Sequence, residues 1–182
     1  MDYTQTQYLN YILGAGAILL QVASVVAVLI LFFGPKRNFI LEFVNRHFLW
    51  LGFLIAFSAS FFSLVYSEIV GYVPCSLCWY ARIFMYPMTL LFGTALYFND
   101  RSVARYAWPL LVGGMLVALY HNFNYYFADT SNLPCDASGI SCYQQLVSIY
   151  GGYMSAPMMS LSSLIGILAI LLVVHFYKKG EN

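Results

Sequence analysis

Long apolar stretches dominate the hydrophobic pattern of this chain, and polar residues are concentrated in the short segments between them. Each stretch has about 20 residues or more, the length that an α-helix needs to cross roughly 30 Å of hydrocarbon. The apolar positions do not alternate with polar ones, as they would in the strands of a membrane β-barrel. The pattern therefore predicts five membrane-spanning helices, at 11–33, 48–70, 79–98, 104–124 and 157–177.

The composition of the chain agrees with this interpretation. Of its 182 residues, 62% are hydrophobic and only 8% are charged, whereas soluble domains carry about 25% charged residues. Eight basic and seven acidic side chains are too few to coat a soluble enzyme or to form the basic surface of a nucleic-acid-binding protein. The predicted fold is an all-α integral membrane protein, a single helical bundle over residues 1–182.

The basic residues predict how the chain is oriented in the membrane. Segments 1–10, 71–78 and 125–156 contain no Lys or Arg, and seven of the eight basic residues lie on the other side of the five spans or at its edge. By the positive-inside rule the N-terminus is outside and the C-terminus is cytoplasmic. The basic pair Lys36 and Arg37 follows the first span rather than preceding it, so we expect a retained helix and not a cleaved signal peptide.

All four cysteines lie in segments predicted to be outside the cytoplasm. Cys75 and Cys78 follow the second span, and Cys135 and Cys142 follow the fourth. Disulfides form and persist in the bacterial periplasm and at the cell exterior. Two cysteine pairs on one face of a bundle could be static bridges, or they could exchange and form a redox relay.

The first pair has the Cys-x-x-Cys spacing of redox-active dithiols, at the start of the third span. The positive end of that helix favours a thiolate at Cys78. Arg82 is the one basic residue on the outer side, and it lies four residues later on the same helix face. A buried guanidinium needs a partner, which a thiolate or an anionic cofactor would supply.

The remaining candidates leave simpler alternatives open. His121, near the outer end of the fourth span, is either a hydrogen-bonded bundle residue or a contact to a cofactor or proton. The two cysteine pairs could instead hold zinc in a structural scaffold, but the second pair is spaced Cys-x6-Cys, longer than a zinc knuckle. The sequence therefore predicts no metal site.

These motifs resemble the DsbB/BdbC family of membrane disulfide-generating oxidoreductases. The resemblance rests on Cys-Ser-Leu-Cys-Trp-Tyr-Ala-Arg at 75–82 and on the short second motif Pro-Cys-Asp-Ala-Ser-Gly-Ile-Ser-Cys at 134–142. The short second loop is closer to the BdbC-like branch. The resemblance covers 48–177 and implies a four-helix core, to which 11–33 adds one N-terminal span.

The resemblance also implies a function as a thiol:quinone oxidoreductase. Cys75 and Cys78 match the pair that faces the quinone (ubiquinone or menaquinone), with Cys78 as the thiolate that engages it. Arg82 matches the arginine that contacts the quinone, and His121 lies about where the family can place a histidine near it.

Cys135 matches the cysteine that the reduced protein partner attacks, and Cys142 matches the one that relays to Cys75. The partner implied is a DsbA/BdbD-like secreted thiol oxidase of the thioredoxin fold, and the location is the bacterial cytoplasmic membrane. A vitamin K epoxide reductase-like quinone reductase is the nearest alternative, but in that family the loop pair precedes Cys-x-x-Cys, whereas here it follows.

Overall fold

Helices form most of the computed structural model, which describes residues 3–35, 38–127 and 147–179. α2 continues directly into one π-helical turn, Val65–Ile69. Each predicted span overlaps one helix, with the π-helical turn counted as the end of α2, which confirms the all-α fold class. The helices of the described chain are α1 (Tyr3–Phe33), α2 (Phe39–Leu64), α3 (Ser76–Phe98), α4 (Val103–Phe127) and α5 (Ala156–Lys179).

The second helix begins nine residues before the span predicted at 48–70. Asn38 caps it, because its extended backbone lets the side chain accept a hydrogen bond from the Ile40 amide at 3.0 Å. His47 has non-helical dihedral angles (φ −106°, ψ 16°), and these separate residues 39–46 from the apolar span. That first segment contains both charged and apolar residues, as expected of a helix at the membrane interface.

Four helices of the described chain are long and apolar enough to cross a membrane: Tyr3–Phe33, Phe39–Ile69, Val103–Phe127 and Ala156–Tyr177. α3 is not among them, because Arg82 and three tyrosines lower its mean hydropathy. Its 23 residues nevertheless extend about 34 Å at 1.5 Å per residue. A tight turn, in which Asn99 adopts φ 53°, returns the chain into α4, so α3 runs antiparallel beside α4.

The bundle is a ring of four helices, α2 to α5, in which each helix packs against the next and α5 packs back onto α2. α1 lies outside this ring, mainly against α5. Gly52 allows α2 and α3 to approach closely, because a Cβ there would come within 2.6 Å of the Phe92 ring. The predicted architecture of four helices plus one is confirmed. The fully buried apolar side chains at its centre include Phe48, Met88, Phe92, Leu111, Ile167 and Leu171.

Candidate redox site

Cys75 and Cys78 lie at the N-terminus of α3. Cys75 is the N-cap residue, with an extended backbone (φ −72°, ψ 170°), and its carbonyl accepts the first helical hydrogen bond from the Trp79 amide at 3.1 Å. Cys78 lies within the first turn, where unpaired N–H groups favour negative charge. Both cysteines are free, and their Sγ atoms are 3.2 Å apart. One proton can therefore be shared between the two sulfurs.

His121 reaches this pair from α4. It is buried, and its ring lies close enough to both sulfurs for the three donor atoms to fall within 4.8 Å of one another. A hydrogen bond from Cys78 lowers the pKa of the Cys75 thiol, and a second hydrogen bond, from His121, adds to this effect. In the reduced pair the negative charge is therefore stabilised on Cys75, whereas the resemblance gives Cys78 the thiolate that engages the quinone.

Arg82 is buried one turn below Cys78, with 8% of its surface exposed. Its Nε donates to Ser63 Oγ and its Nη2 to the Ser63 carbonyl, both at 2.9 Å. The guanidinium also lies over the Trp79 ring, 5.0 Å from the centroid. Within the described residues these partners are neutral and use two of its five N–H donors. The site therefore holds a positive charge whose remaining N–H groups can donate hydrogen bonds. This arrangement favours the binding of a group that becomes anionic.

Ser63 was missed by the sequence interpretation. It lies near the end of α2, two residues before the π-helical turn 65–69 begins, and π turns often mark functional sites. Its hydroxyl and carbonyl both face Arg82, so it fixes the height of the guanidinium relative to the sulfurs. Nothing in the local sequence distinguishes Ser63 from the other small polar residues of α2.

The second predicted pair, Cys135 and Cys142, lies outside the described residues. On one side of it α4 ends at Phe127, about 9 Å along the helix from His121. On the other side the described chain resumes at 147, where the Tyr125 hydroxyl donates to the Val147 carbonyl at 3.3 Å. The two ends of the segment that carries the second pair are thus held together, at the end of the bundle where His121 contacts Cys75.

The three clustered side chains could also hold a metal ion. Two thiols and one imidazole with donor atoms within 4.8 Å of one another match the ligand types and reach of a thiophilic ion such as Zn²⁺. The neighbouring guanidinium of Arg82 opposes a cation and favours an anion at the same place. The cluster is therefore compatible with two chemistries, which metal analysis separates.

Comparison with known proteins identifies the family. The family model described as "Disulfide bond formation protein DsbB" matches residues 45–174. "Probable disulfide formation protein C 2" of Bacillus anthracis is 32% identical over 139 residues, 76% of this chain and 97% of the relative. "Disulfide bond formation protein C" of Bacillus subtilis (strain 168) is 31% identical over 135 residues, 74% of this chain and 94% of the relative.

A relative from another genus, "Probable disulfide formation protein" of Metapseudomonas resinovorans, is 36% identical over 127 residues, 69% of this chain and 87% of the relative. No solved structure gives a significant match. The family match includes the first cysteine pair, Arg82, His121 and the second pair, and it excludes α1. These matches favour this family over the vitamin K epoxide reductase-like alternative: the chain belongs to the DsbB family of membrane proteins that form disulfide bonds.

Proposed function

We propose that this protein is a thiol:quinone oxidoreductase that reoxidises a secreted thiol oxidase of the thioredoxin fold, through two cysteine pairs. The observation that carries the proposal is the cluster at the start of α3, where the Cys75 and Cys78 sulfurs are 3.2 Å apart and both lie within 4.8 Å of a ring nitrogen of buried His121. Arg82 adds a fixed positive charge one turn below. This arrangement suits a dithiol that passes electrons to an acceptor that becomes anionic.

The relay begins at the second pair, for which we propose a Cys135–Cys142 disulfide. A thiolate of the reduced partner attacks Cys135, a mixed disulfide forms, and Cys142 leaves as a thiolate. Cys142 then attacks Cys75 of an oxidised Cys75–Cys78 pair, and Cys78 leaves as a thiolate at the helix N-terminus. Each attack forms one S–S bond and breaks one, so no electron is lost on the way.

The partner is released in its oxidised form when its second thiolate attacks the mixed disulfide and Cys135 leaves. Cys135 then attacks Cys142, which restores the second pair and frees Cys75. Before this step the Cys78 thiolate takes up a proton, so that Cys78 and His121 can both donate hydrogen bonds to the departing Cys75 thiolate. The two sulfurs of the first pair thus leave at different steps, Cys78 beside Arg82 and Cys75 beside His121.

The acceptor we propose is a membrane quinone, either ubiquinone or menaquinone. When bound, a quinone supplies a two-electron, two-proton acceptor, which is the stoichiometry of closing one disulfide. Arg82 fits such a group because its guanidinium has neutral partners in the described chain and N–H donors left over. The role of this residue is to orient the acceptor at the sulfurs and to stabilise its developing negative charge, while Cys75 and Cys78 return to the disulfide.

We propose one orientation of the protein in the bacterial cytoplasmic membrane. The segments without Lys or Arg, including 71–78, face outward, and the C-terminus is cytoplasmic. Both cysteine pairs then face the compartment in which secreted proteins acquire disulfides. Labelling of the reduced pair by a membrane-impermeant maleimide in intact spheroplasts tests this orientation, and labelling that requires lysis contradicts it.

Anaerobic mixing of the purified protein with short-chain quinones and a reduced thioredoxin-fold oxidase tests the function directly. We expect the quinone absorbance to fall at a rate that depends on the partner, and Cys78→Ser to reduce that rate to background. Leu90→Ala is a matched control, because Leu90 lies on the same helix with its side chain 71% exposed. Full quinone reduction by Cys78→Ser would disprove the relay.

A second candidate function is a metal-holding scaffold, favoured by the three donor atoms of Cys75, Cys78 and His121 within 4.8 Å. It predicts about one bound zinc per chain after purification without chelators, and a redox state of the cysteines that does not change with quinone. The oxidoreductase predicts the opposite for both measurements. Metal analysis and thiol counting on one sample therefore separate the two functions.

A further inference from the structure

The N-terminal helix α1 turns a polar and small face toward the rest of the protein. Its other faces are mostly exposed and apolar, as suits contact with lipid. In lipid, apolar surface provides almost no driving force for helix association, so the packing of one helix on another depends on small residues and interhelical hydrogen bonds. The contacts of this face therefore determine the position of α1 on the bundle. The residues of α1 that are buried are Thr6, Asn10, Gly14, Ser24 and Ala27.

The main partner of this face, besides α5, is the turn at 147–155, here called the return turn. Ile149 and Met154 close it through an isolated β-bridge. Gly14 of α1 lies against it, because a Cβ at this position would overlap the Ile149 side chain. The Tyr150 hydroxyl donates to the Tyr11 carbonyl at 3.1 Å, and the two rings meet edge to face at 5.7 Å.

Gln21 joins α1 to the return turn and to α5 at once. Its Oε1 accepts a hydrogen bond from the Tyr153 hydroxyl at 2.9 Å, and its Nε2 donates to Ser162 Oγ at 2.7 Å. The π-helical turn 65–69 also binds α1, since the Tyr66 hydroxyl donates to Asn10 Oδ1 at 2.6 Å. These bonds are between neutral groups within the bundle, where their geometry fixes the position of the turn.

α4 holds the return turn from the opposite side. The Tyr126 hydroxyl donates to the Tyr153 carbonyl at 2.6 Å and lies 2.9 Å from Ser155 Oγ. α4 also carries His121, which contacts Cys75. Without α1 the turn would keep its bonds to α4, on the side of the redox site, and its covalent continuation into α5, but it would lose its hydrogen bonds to Tyr11 and Gln21.

Only residues 143–146 separate the return turn from Cys142. Because one residue spans at most about 3.5 Å of chain, fixing the return turn restricts the positions open to Cys142 and thereby changes its effective concentration at a second thiol. We propose that α1 is a positioning helix for the second cysteine pair, which raises the effective concentration of Cys142 at Cys75 by clamping the return turn. This inference rests on the relay proposed above. The family match begins at residue 45, so the clamp is an addition to the matched core.

The effective concentration can be measured without quinone or partner. In a Cys78→Ser, Cys135→Ser background, only Cys75 and Cys142 remain, and they can form a single disulfide. Equilibration of this two-cysteine protein with reduced and oxidised glutathione, followed by mass spectrometry, gives the equilibrium constant of the disulfide. That constant is the effective concentration of one thiol at the other.

We expect Gln21→Leu to lower this effective concentration by about three- to twentyfold, since two interhelical hydrogen bonds are lost. Tyr153→Phe is the conservative variant, because it removes only the hydroxyl that binds Gln21 and leaves the carbonyl that binds α4. We expect it to lower the effective concentration about threefold. Leu19→Ala is the matched control, because Leu19 is 70% exposed on α1. Thermal unfolding of each variant shows that it remains folded.

An unchanged effective concentration in both folded variants would overturn the positioning role of α1. An equal fall in Leu19→Ala would also overturn it, since the effect would then be unspecific. A two-cysteine protein that forms no Cys75–Cys142 disulfide would disprove the relay itself, and this inference with it. The last result differs from the first two because it is seen already in the background with α1 intact.

Discussion

The cysteine end of the bundle and its apolar half bury different kinds of side chain. The cysteine end encloses a guanidinium, an imidazole and a thiol among neutral polar partners. The apolar half, to which α2, α3, α4 and α5 all contribute, is filled mainly by rings and aliphatic chains, as at Phe48, Phe92 and Leu111. Apolar packing there contributes most to stability. Burying the polar groups of the cysteine end costs folding free energy, and we attribute their presence to the redox reaction.

This contrast predicts that substitutions in the apolar half change stability and leave the chemistry intact. Phe92 is fully buried against Gly52. We expect Phe92→Ala to lower the free energy of unfolding by about 3 kcal/mol, because a ring-sized cavity remains. Quinone reduction per folded molecule should stay within about twofold at low temperature. Unfolding in mixed detergent micelles, with Leu90→Ala as the lipid-facing control, measures the first effect. A loss of activity without a loss of stability would contradict this separation of roles between the apolar half and the cysteine end.

The sequence predicts the helices well because lipid leaves the backbone few alternatives. A run of about 20 apolar residues must satisfy its N–H and C=O groups internally, so it forms a helix whatever its neighbours are. The relation between Cys78 and Arg82 is equally local, because residues four apart share a helix face. Both predictions depend on positions close together in the chain.

The contacts that the sequence did not predict join residues far apart in the chain. Ser63 binds Arg82 across 19 positions, and Gln21 binds Ser162 across 141. Such pairs depend on the rotation of each helix about its axis, and a uniformly apolar helix carries almost no sequence signal for that rotation. The first residues of α2 were missed for a different reason, since an interfacial helix is too polar to resemble a span.

At the cysteine end we expect the reverse of the Phe92 result, a change in chemistry with little change in fold. Arg82→Gln removes a buried charge but keeps a polar side chain that can still reach Ser63. The KM for quinone should rise about ten- to a hundredfold, the cost of losing hydrogen bonds from a charged group. Disulfide transfer from the partner in one turnover without quinone should be unchanged. An unaltered KM would remove Arg82 from the acceptor site.

Ser63→Ala tests whether the position of that charge matters as well as its presence. The substitution removes the Oγ that accepts from Nε and leaves the carbonyl that accepts from Nη2. We expect the KM for quinone to rise about three- to tenfold, because one net hydrogen bond is lost, with kcat nearly constant. Ser67→Ala serves as the control, because Ser67 is half-buried like Ser63 but its hydroxyl donates to the Leu64 carbonyl and to Glu68 and not to Arg82. An equal effect of both substitutions would show that Ser63 has no special part in holding Arg82.

The smallest effect expected is a shift in the pH dependence of the reduced first pair. The thiolate is the reactive form, and it is present above the pKa and lost as the pH falls through it. Because hydrogen bonds from Cys78 and then His121 lower the pKa of Cys75, alkylation of Cys75 should remain fast at pH 6, where an ordinary cysteine is under about 1% thiolate.

Cys78→Ala should move the alkylation profile furthest toward alkaline pH, and His121→Leu should move it less. These measurements belong in a Cys135→Ser, Cys142→Ser background, so that one pair alone reacts. A profile unmoved by His121→Leu would show that the imidazole is a packing residue of the bundle, and the polar character of the cysteine end would then rest on Arg82 and the sulfurs alone.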